Sequence, residues 1–337
     1  MKQLLTAMDL AARRGTDKEI GLVQQIVNVA PEIGLITGRP VPGTSSTARV
    51  QIGIPKGGAF RALNDGSPLS AGEYEMRKFN AFPFDAQLQV DELTLAAAQQ
   101  EGDSLGDLQA DEVAGALRNK SILFSQQFYA GTAVDPNGFP GLKSILQIYN
   151  GGDNNGGVID SRTGKAIVNY IDAGGGTANA AASETVWYVW NNPQGIHFIF
   201  GGNKTIDVNP WMWQYVNGKT ANTRLRASCS NISGFIGLSS AHPWCVACIK
   251  NIDAAHPWTD ALTAKLDALI PAGIKYTYCF ASKRARGYLQ QSRTVSIQAN
   301  ASTGNAKDLS TVSAPPSTDL NGVPIIVTDG IQLEKSF

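Results

Sequence analysis

The stretch DLQADEVAGALRNKSILFSQQFYA, residues 107–130, is the most regular part of the chain. Its apolar residues recur at three- and four-residue spacings, so that Val113, Leu117, Phe124 and Phe128 share one face of a helix. Acidic side chains come early and basic ones later, as the helix dipole favours, and a glycine follows at the end. At about 1.5 Å per residue this helix is roughly 36 Å long, which exceeds most globular helices. The sequence therefore predicts one unusually long helix.

Upstream of this helix, the sequence predicts an arm followed by an extended hairpin. Residues 1–36 carry helical patterns that end at Pro31, and a Pro/Gly/Ser-rich linker covers residues 39–47. Alternating apolar residues predict strands at 50–54 and 82–90, and the segment between them is rich in charge and turn formers. Because that segment cannot bury a core of its own, we expect a hairpin that lies on a neighbour.

Downstream of the helix, the chain is first glycine-rich and then rich in strands. Glycine and small residues at 149–183 predict loops. TVWYVW at 185–190 and IHFIFGG at 196–202, joined by NNPQG, predict a β-hairpin on which WMWQY at 211–215 packs. The predicted elements that follow are strands at 234–240, 243–252, 274–282 and 321–331, helices at 259–270 and 283–293, and a linker at 299–318. This pattern indicates an α+β protein.

The amino-acid composition argues against a nucleic-acid-binding protein and against a membrane-spanning one. The chain has 337 residues, and 28 Lys and Arg balance 28 Asp and Glu. A formal net charge of zero leaves no overall basic footprint for nucleic acid. Only 17% of residues are charged and 43% are hydrophobic, which suggests a surface largely covered by other copies of the chain. The first residues lack the apolar core of a signal peptide, and no run of about 18 apolar residues is present, so no membrane span is expected.

The stretch AHPWCVACIKNIDAAHPW, residues 241–258, holds the strongest candidates for metal or redox chemistry. Cys245 and Cys248 have C-x-x-C spacing, and His242 and His256 flank them. A structural zinc site needs four converging ligands, and a redox C-x-x-C belongs at a helix N-terminus. This stretch is instead patterned as a strand, so we interpret both thiols as reduced, buried core residues. A zinc-binding or thiol-redox protein centred on this pair is the alternative from another class.

Other catalytic patterns are missing from the sequence. It contains no G-x-S-x-G nucleophile elbow and no phosphate-binding G-x-x-x-x-G-K-[ST] loop. We therefore predict no enzyme, no catalytic residue, no cofactor site and no metal ligand.

Several phrases, in their order along the chain, resemble the major capsid proteins of tailed bacteriophages. They are FPFDAQLQVDEL at 82–93, SLGDLQADEVAGALRNKSILFSQQFYAGT at 104–132, NGFPGLKSIL at 137–146, YTYCFASKRARGYLQQSR at 276–293 and NGVPIIVTDGI at 321–331. They look like the strand leaving the extended hairpin (the E-loop), the spine helix, the segment after it, the axial strand and helix, and the late strand. The ordered set covers nearly the whole chain. It implies the HK97-like α+β capsid fold.

The resemblance also implies a division of the chain into domains. The implied parts are an N-terminal arm at 1–45, the E-loop hairpin at 46–84, a peripheral domain at 85–135 with the spine helix at 107–130, axial-side glycine-rich loops at 136–184, a peripheral-type hairpin and aromatic segment at 185–220, an axial domain at 221–298, and a linker with the closing strand at 299–337. In many members a hairpin like that at 185–202 follows the late strand. Its earlier place here implies permuted connectivity, as in a podovirus-like subset.

The function implied by the resemblance is structural and non-enzymatic. Subunits would form pentamers and hexamers of an icosahedral virion shell around double-stranded DNA, assembled in the bacterial host cytoplasm and followed by procapsid maturation. The implied partners are other copies of the chain, scaffolding, cementing and portal proteins, and DNA in weak, non-specific contact, with no membrane. An encapsulin-like nanocompartment shell is a near alternative. The expected inter-subunit contacts are the hairpin residues Arg61, Asn64, Asp65, Glu73, Arg77 and Lys78.

Overall fold

A computed structural model describes most of the chain. The described residues are 30–53, 60, 63, 66, 71–100, 105–150, 158–159, 165–176, 183–203, 206–218, 223–293, 295–298, 309–312 and 318–331. The helical patterns expected before residue 30 and most of the glycine-rich stretch expected at 149–183 lie outside the described residues.

The described chain is α+β, in agreement with the sequence. Its helices are α1 (Glu32–Leu35), α2 (Glu92–Gln100), α3 (Leu105–Ala130), α4 (Leu142–Tyr149), α5 (Asp260–Leu269) and α6 (Lys283–Arg293). Its strands are β1 (Gly38–Pro40), β2 (Ser45–Gly53), β3 (Glu73–Asn80), β4 (Phe82–Asp91), β5 (Tyr170–Asp172), β6 (Glu184–Val189), β7 (Ile196–Phe200), β8 (Asp207–Val208), β9 (Met212–Asn217), β10 (Arg224–Ser240), β11 (Val246–Ile252), β12 (Tyr278–Ala281), β13 (Val295–Gln298), β14 (Leu309–Val312), β15 (Asp319–Leu320) and β16 (Val323–Val327). No helix among these residues is long and apolar enough to cross a membrane.

The predicted long helix is confirmed as α3, which has 26 residues. It ends at Ala130, and Gly131 follows with a left-handed φ of 63°. The predicted stripe is buried at its C-terminal end, where Phe128 lies in the core, whereas Leu117 is exposed. The predicted helices at 259–270 and 283–293 are confirmed as α5 and α6.

The first large sheet is built around β10, a strand of 17 residues. Its strand order is β1-β7-β10-β4, and β8 and β9 also pair with β10. Along one edge β10 runs antiparallel to β4, and along the other it pairs in turn with β9, β8 and β7. The long helix α3 contacts β4 of this sheet.

The second large sheet has the order β15-β16-β12-β6-β11-β5. Its central strands β6 and β11 are buried along their whole length because both faces are covered. One face shares a core with α3, α4 and the first sheet through side chains such as Phe128, Leu142, Phe198 and Phe280. The other face packs under α5 and α6.

The predicted hairpin at 185–202 is wrong. β6 lies in the second sheet and β7 in the first, so NNPQG carries the chain from one sheet to the other. Both strands are mostly apolar, and such a pattern indicates burial without identifying the partner strand. The segment at 211–215 contributes β9, which pairs with β10. Permuted connectivity is inferred only from that hairpin, so it has no remaining support.

The predicted E-loop hairpin exists, but its strands are paired differently from the prediction. β2 pairs antiparallel with β3, from Ser45 opposite Asn80 to Gly53 opposite Glu73. The alternating strand at 82–90, expected as a hairpin flank, is β4 and belongs to the first large sheet. Four of the eight residues of EYEMRKFN are charged, which conceals its strand character in a count of apolar residues.

Candidate interaction surface

The β2–β3 hairpin forms a two-stranded sheet of its own, and one of its faces carries exposed apolar side chains. Arg49 of β2 stacks on Tyr74 of that face, 5.2 Å from the ring centroid. Tyr74 and Met76 point to the same side of β3 and are 59% and 74% exposed. Phe60 and Leu63, between the two strands, are fully exposed. An isolated two-stranded hairpin is marginally stable in water. A ribbon with exposed apolar side chains gains stability when another surface covers it.

Arg77 attaches the base of the hairpin to the rest of the chain. Its Nη1 donates hydrogen bonds to the hydroxyl of Tyr149 at 3.1 Å and to the carbonyl of Ala241 at 2.8 Å. The guanidinium lies over the Tyr149 ring, 5.0 Å from its centroid. Glu75 pairs with the same guanidinium at 3.2 Å. A side chain on β3 thus contacts both the end of α4 and the residue after β10.

Burial favours the neutral forms of Tyr149 and His242 near Arg77. Burial raises the pKa of Tyr149, and the hydroxyl of Tyr149 donates a hydrogen bond to the carbonyl of Ser240. Burial also lowers the pKa of His242, and the charge of Arg77 lowers it further. The guanidinium donates hydrogen bonds to Tyr149 and Ala241 and stacks on the Tyr149 ring, while Glu75 balances its charge.

The residues predicted to contact another subunit differ in their exposure to solvent. Glu73 and Lys78 are exposed on β3, as an intermolecular role requires. Arg77 is mostly buried within its own chain, with 11% of its side chain exposed. Arg61, Asn64 and Asp65 lie outside the described residues. The sequence analysis did not identify Tyr74 and Met76, although the alternation of charged and apolar residues in EYEMRKFN indicates them. It also did not identify Tyr149, for which the neighbouring sequence gives no signal.

The C-x-x-C stretch is part of the core, as the sequence interpretation holds. Among the described residues neither Cys245 nor Cys248 forms a disulfide, and both side chains are fully buried, Cys248 within β11 and Cys245 next to it. Burial raises the pKa of Cys245 well above the usual range of a thiol. His242 accepts a hydrogen bond from the backbone N–H of Trp244, whereas His256 contacts Asp253. Among the described residues, no group of three or more His, Cys, Asp and Glu side chains is arranged to hold a metal ion.

Comparison with known proteins finds no matching family model and no matching curated protein. Solved structures do match. A chain in the structure of bacteriophage Epsilon15 is similar with a TM-score of 0.67 at 14% identity, covering 99% of this chain and 97% of that one. The bacteriophage JBD30 capsid is similar with a TM-score of 0.53 at 10% identity, covering 97% and 99%. The chain therefore has the fold of tailed-bacteriophage capsid proteins.

Proposed function

We propose that this chain is a major capsid protein, a structural subunit that self-assembles into the shell of a tailed bacteriophage. The observation that carries the proposal is the end-to-end likeness to the JBD30 capsid fold. Fold alone does not determine function, so the surface of the chain has to fit the role as well.

The exposed hairpin supports this role. Tyr74 and Met76 gain from burial against a neighbouring subunit, and that contact supplies the support that a lone two-stranded ribbon lacks. Glu73 and Lys78 lie beside them as polar rim contacts, and Arg61, Asn64 and Asp65 are assigned to the same contact from the sequence. Arg77 has a different part, since it fixes the base from which the hairpin reaches out.

The proposal extends to the assembly as a whole. Repeated heterologous contacts of this kind close into rings, here pentamers and hexamers, and then into an icosahedral shell that encloses double-stranded DNA. The division of the chain into domains is retained as part of the proposal except for the hairpin at 185–220, because β6 and β7 lie in different sheets. Scaffolding, cementing and portal proteins are further proposed partners. Assembly takes place in the host cytoplasm, and the zero net charge makes DNA contact weak and independent of sequence.

Electron microscopy and sedimentation of the full chain expressed in bacteria test the proposal. Closed shells, tubes, pentamers or hexamers are the expected result. Met76→Glu places a charge on the exposed face of the hairpin and should block these assemblies while the subunit stays folded. Leu93→Glu is the matched control, because Leu93 is equally exposed but lies on α2. A monomer or dimer that carries one zinc ion per chain would overturn the proposal.

A further inference from the structure

β9 is an open edge of the first large sheet. One of its edges pairs with β10, from Met212 opposite Cys229 to Asn217 opposite Arg224. No described strand pairs with its other edge. That edge presents a row of backbone N–H and C=O groups ready to pair with another strand.

This edge lacks the features that keep strands from pairing with other chains. Natural sheets protect open edges with charges, prolines or bulges. The other outer strands of the two large sheets have such residues: Arg39 and Pro40 in β1, Pro83 and Asp85 in β4, Asp172 in β5, Asp207 in β8 and Asp319 in β15. β9 reads MWQYVN and contains neither a charge nor a proline.

The side chains of β9 are also exposed and largely apolar. Tyr215 is 75% exposed, and Met212 and Trp213 are about half exposed, at 57% and 45%. One charge beside β9 is balanced within the subunit, because Arg226 stacks on Trp213 at 5.0 Å and pairs with Glu92 at 2.9 Å. An uncharged, apolar, unpaired strand is a site for strand addition.

The sequence of β9 is complementary to itself when the pairing is centred on Gln214. Two copies related by a two-fold axis normal to the sheet pair antiparallel, and one residue then faces its own counterpart. When that residue is Gln214, Trp213 lies opposite Tyr215 of the second copy. Met212 then lies opposite Val216 of the second copy. Centring on Tyr215 would instead place Trp213 opposite an asparagine. Aromatic and β-branched cross-strand pairs stabilise sheets, so the register centred on Gln214 is favoured.

We propose that β9 pairs antiparallel with β9 of a second copy, centred on Gln214, and joins the first sheets of two subunits across a two-fold axis. This inference rests on the proposed function, because it names a second copy of the chain as the partner. It concerns a surface separate from the hairpin, so the two contacts are testable independently.

Disulfide trapping at the two-fold axis tests the pairing. Directly opposite residues in an antiparallel pair have Cα atoms about 4.5–5.5 Å apart, within the range that a disulfide spans. In Gln214→Cys, the two facing thiols should be oxidised to a disulfide, while oxidised glutathione accepts the two electrons and two protons. The native cysteines are all buried, so they contribute little background. Gln87→Cys is the matched control, an exposed glutamine on β4 of the same sheet.

Covalent dimers of Gln214→Cys, at least tenfold more abundant than those of Gln87→Cys and Tyr215→Cys, are the expected result. Equal trapping at Gln87, or stronger trapping at Tyr215, would overturn the register. A second test uses charge: Gln214→Lys and Gln214→Glu should each weaken pairing, and mixing the two should restore it. Shells without trapping at Gln214 would overturn this inference and leave the proposed function standing. A chain that stays monomeric would overturn both.

Discussion

The hydroxyl of Thr328 donates a hydrogen bond to the carboxylate of Glu32, 296 residues earlier in the chain, over 3.1 Å. The backbone N–H of Gly330 donates to the same hydroxyl, so the proton of Thr328 is directed at the carboxylate. Glu32 is completely buried in α1, and Ser125 and Tyr129 of α3 line the same site. The contact connects the beginning of the described chain, the long helix and the segment after the closing strand.

The wild-type protein should lose stability as the pH rises, because the buried carboxyl of Glu32 becomes ionised. The variant Glu32→Gln should not show this loss. Burial raises the pKa of Glu32 above its ordinary value of 4.5, and the hydrogen bond from Thr328 opposes this less strongly. The pKa of Glu32 is therefore higher in the folded state than in the unfolded state. The contribution of the protonated carboxyl to the free energy of unfolding is complete below pH 4.5 and is lost as the pH rises through the folded-state pKa. Tyr129, itself close to Cys279, is the titratable group that faces the carboxyl from α3, and burial raises its pKa as well.

Denaturant unfolding of the wild type and Glu32→Gln across a range of pH measures this effect. The wild type should lose stability relative to the variant with increasing pH, since the amide keeps the hydrogen bond and carries no charge. Glu32→Ala is the control that loses the contact at every pH, at a cost of about 1–3 kcal/mol. A difference between wild type and Glu32→Gln that stays constant with pH would show that Glu32 is not the titrating group.

Arg77→Ala should loosen the hairpin without unfolding the chain. The substitution leaves the Ala241 carbonyl and the Tyr149 hydroxyl without a donor, and local stability should fall by about 1–3 kcal/mol. Hydrogen exchange of the amides in β2 and β3 should then accelerate by about 5- to 150-fold.

Lys78→Ala is the matched control for this prediction. Lys78 is the next residue on β3, but it is exposed and points to the opposite face of the hairpin. Exchange in the hairpin should therefore be nearly unchanged in this variant. Equal acceleration in the two variants would mean that Arg77 does not anchor the hairpin.

The elements that were predictable from the sequence have several signals within a short stretch of residues. The helix α3 was predictable because apolar spacing, charge order and a terminal glycine all agree over residues 105–131. The buried strand β11 was predictable from the apolar run at 244–249. Both signals lie within a few residues of the element that they predict.

Strand partners and the hairpin anchor were not predictable, because they depend on distant residues. β6 and β7 follow one another closely yet belong to different sheets, and their apolar sequences fit either arrangement. Arg77 contacts a tyrosine 72 residues away and a carbonyl 164 residues away. Its charge suggested an exposed contact with another subunit, whereas most of the side chain is used within its own chain.

Cys245 and Cys248 should resist thiol reagents until the chain unfolds. Both side chains are fully buried, and burial raises the pKa of Cys245, so that little of the reactive thiolate forms. Labelling with a chromogenic disulfide reagent should be slow in buffer and complete in denaturant. Replacing either residue with alanine should cost about 1 kcal/mol through lost packing. Rapid labelling of the native protein would support the thiol-redox alternative.

Gly141→Ala should destabilise the connection between α3 and α4, whereas alanine at a matched glycine within α3 should not. A Cβ at Gly141 would lie 2.5 Å from the backbone nitrogen of Gly131 and 2.6 Å from the carbonyl oxygen of Gln127. Both obstacles are backbone, and the amide of Gln127 donates to Phe139 and Asp135, which holds the connection in place. The expected loss in the free energy of unfolding is roughly 3 kcal/mol or more.

Gly115→Ala provides the opposite case for comparison. Gly115 lies within α3, and an added Cβ there meets nothing within 4 Å. Alanine should stabilise the helix by about 0.5–1 kcal/mol, since it lowers the entropy of the unfolded chain. Denaturant unfolding of the two variants should therefore shift in opposite directions. A shift of similar size and sign in both would mean that the backbone of Gly131 and Gln127 moves aside at little cost, and the tight approach of α3 to α4 would then not be essential to the fold.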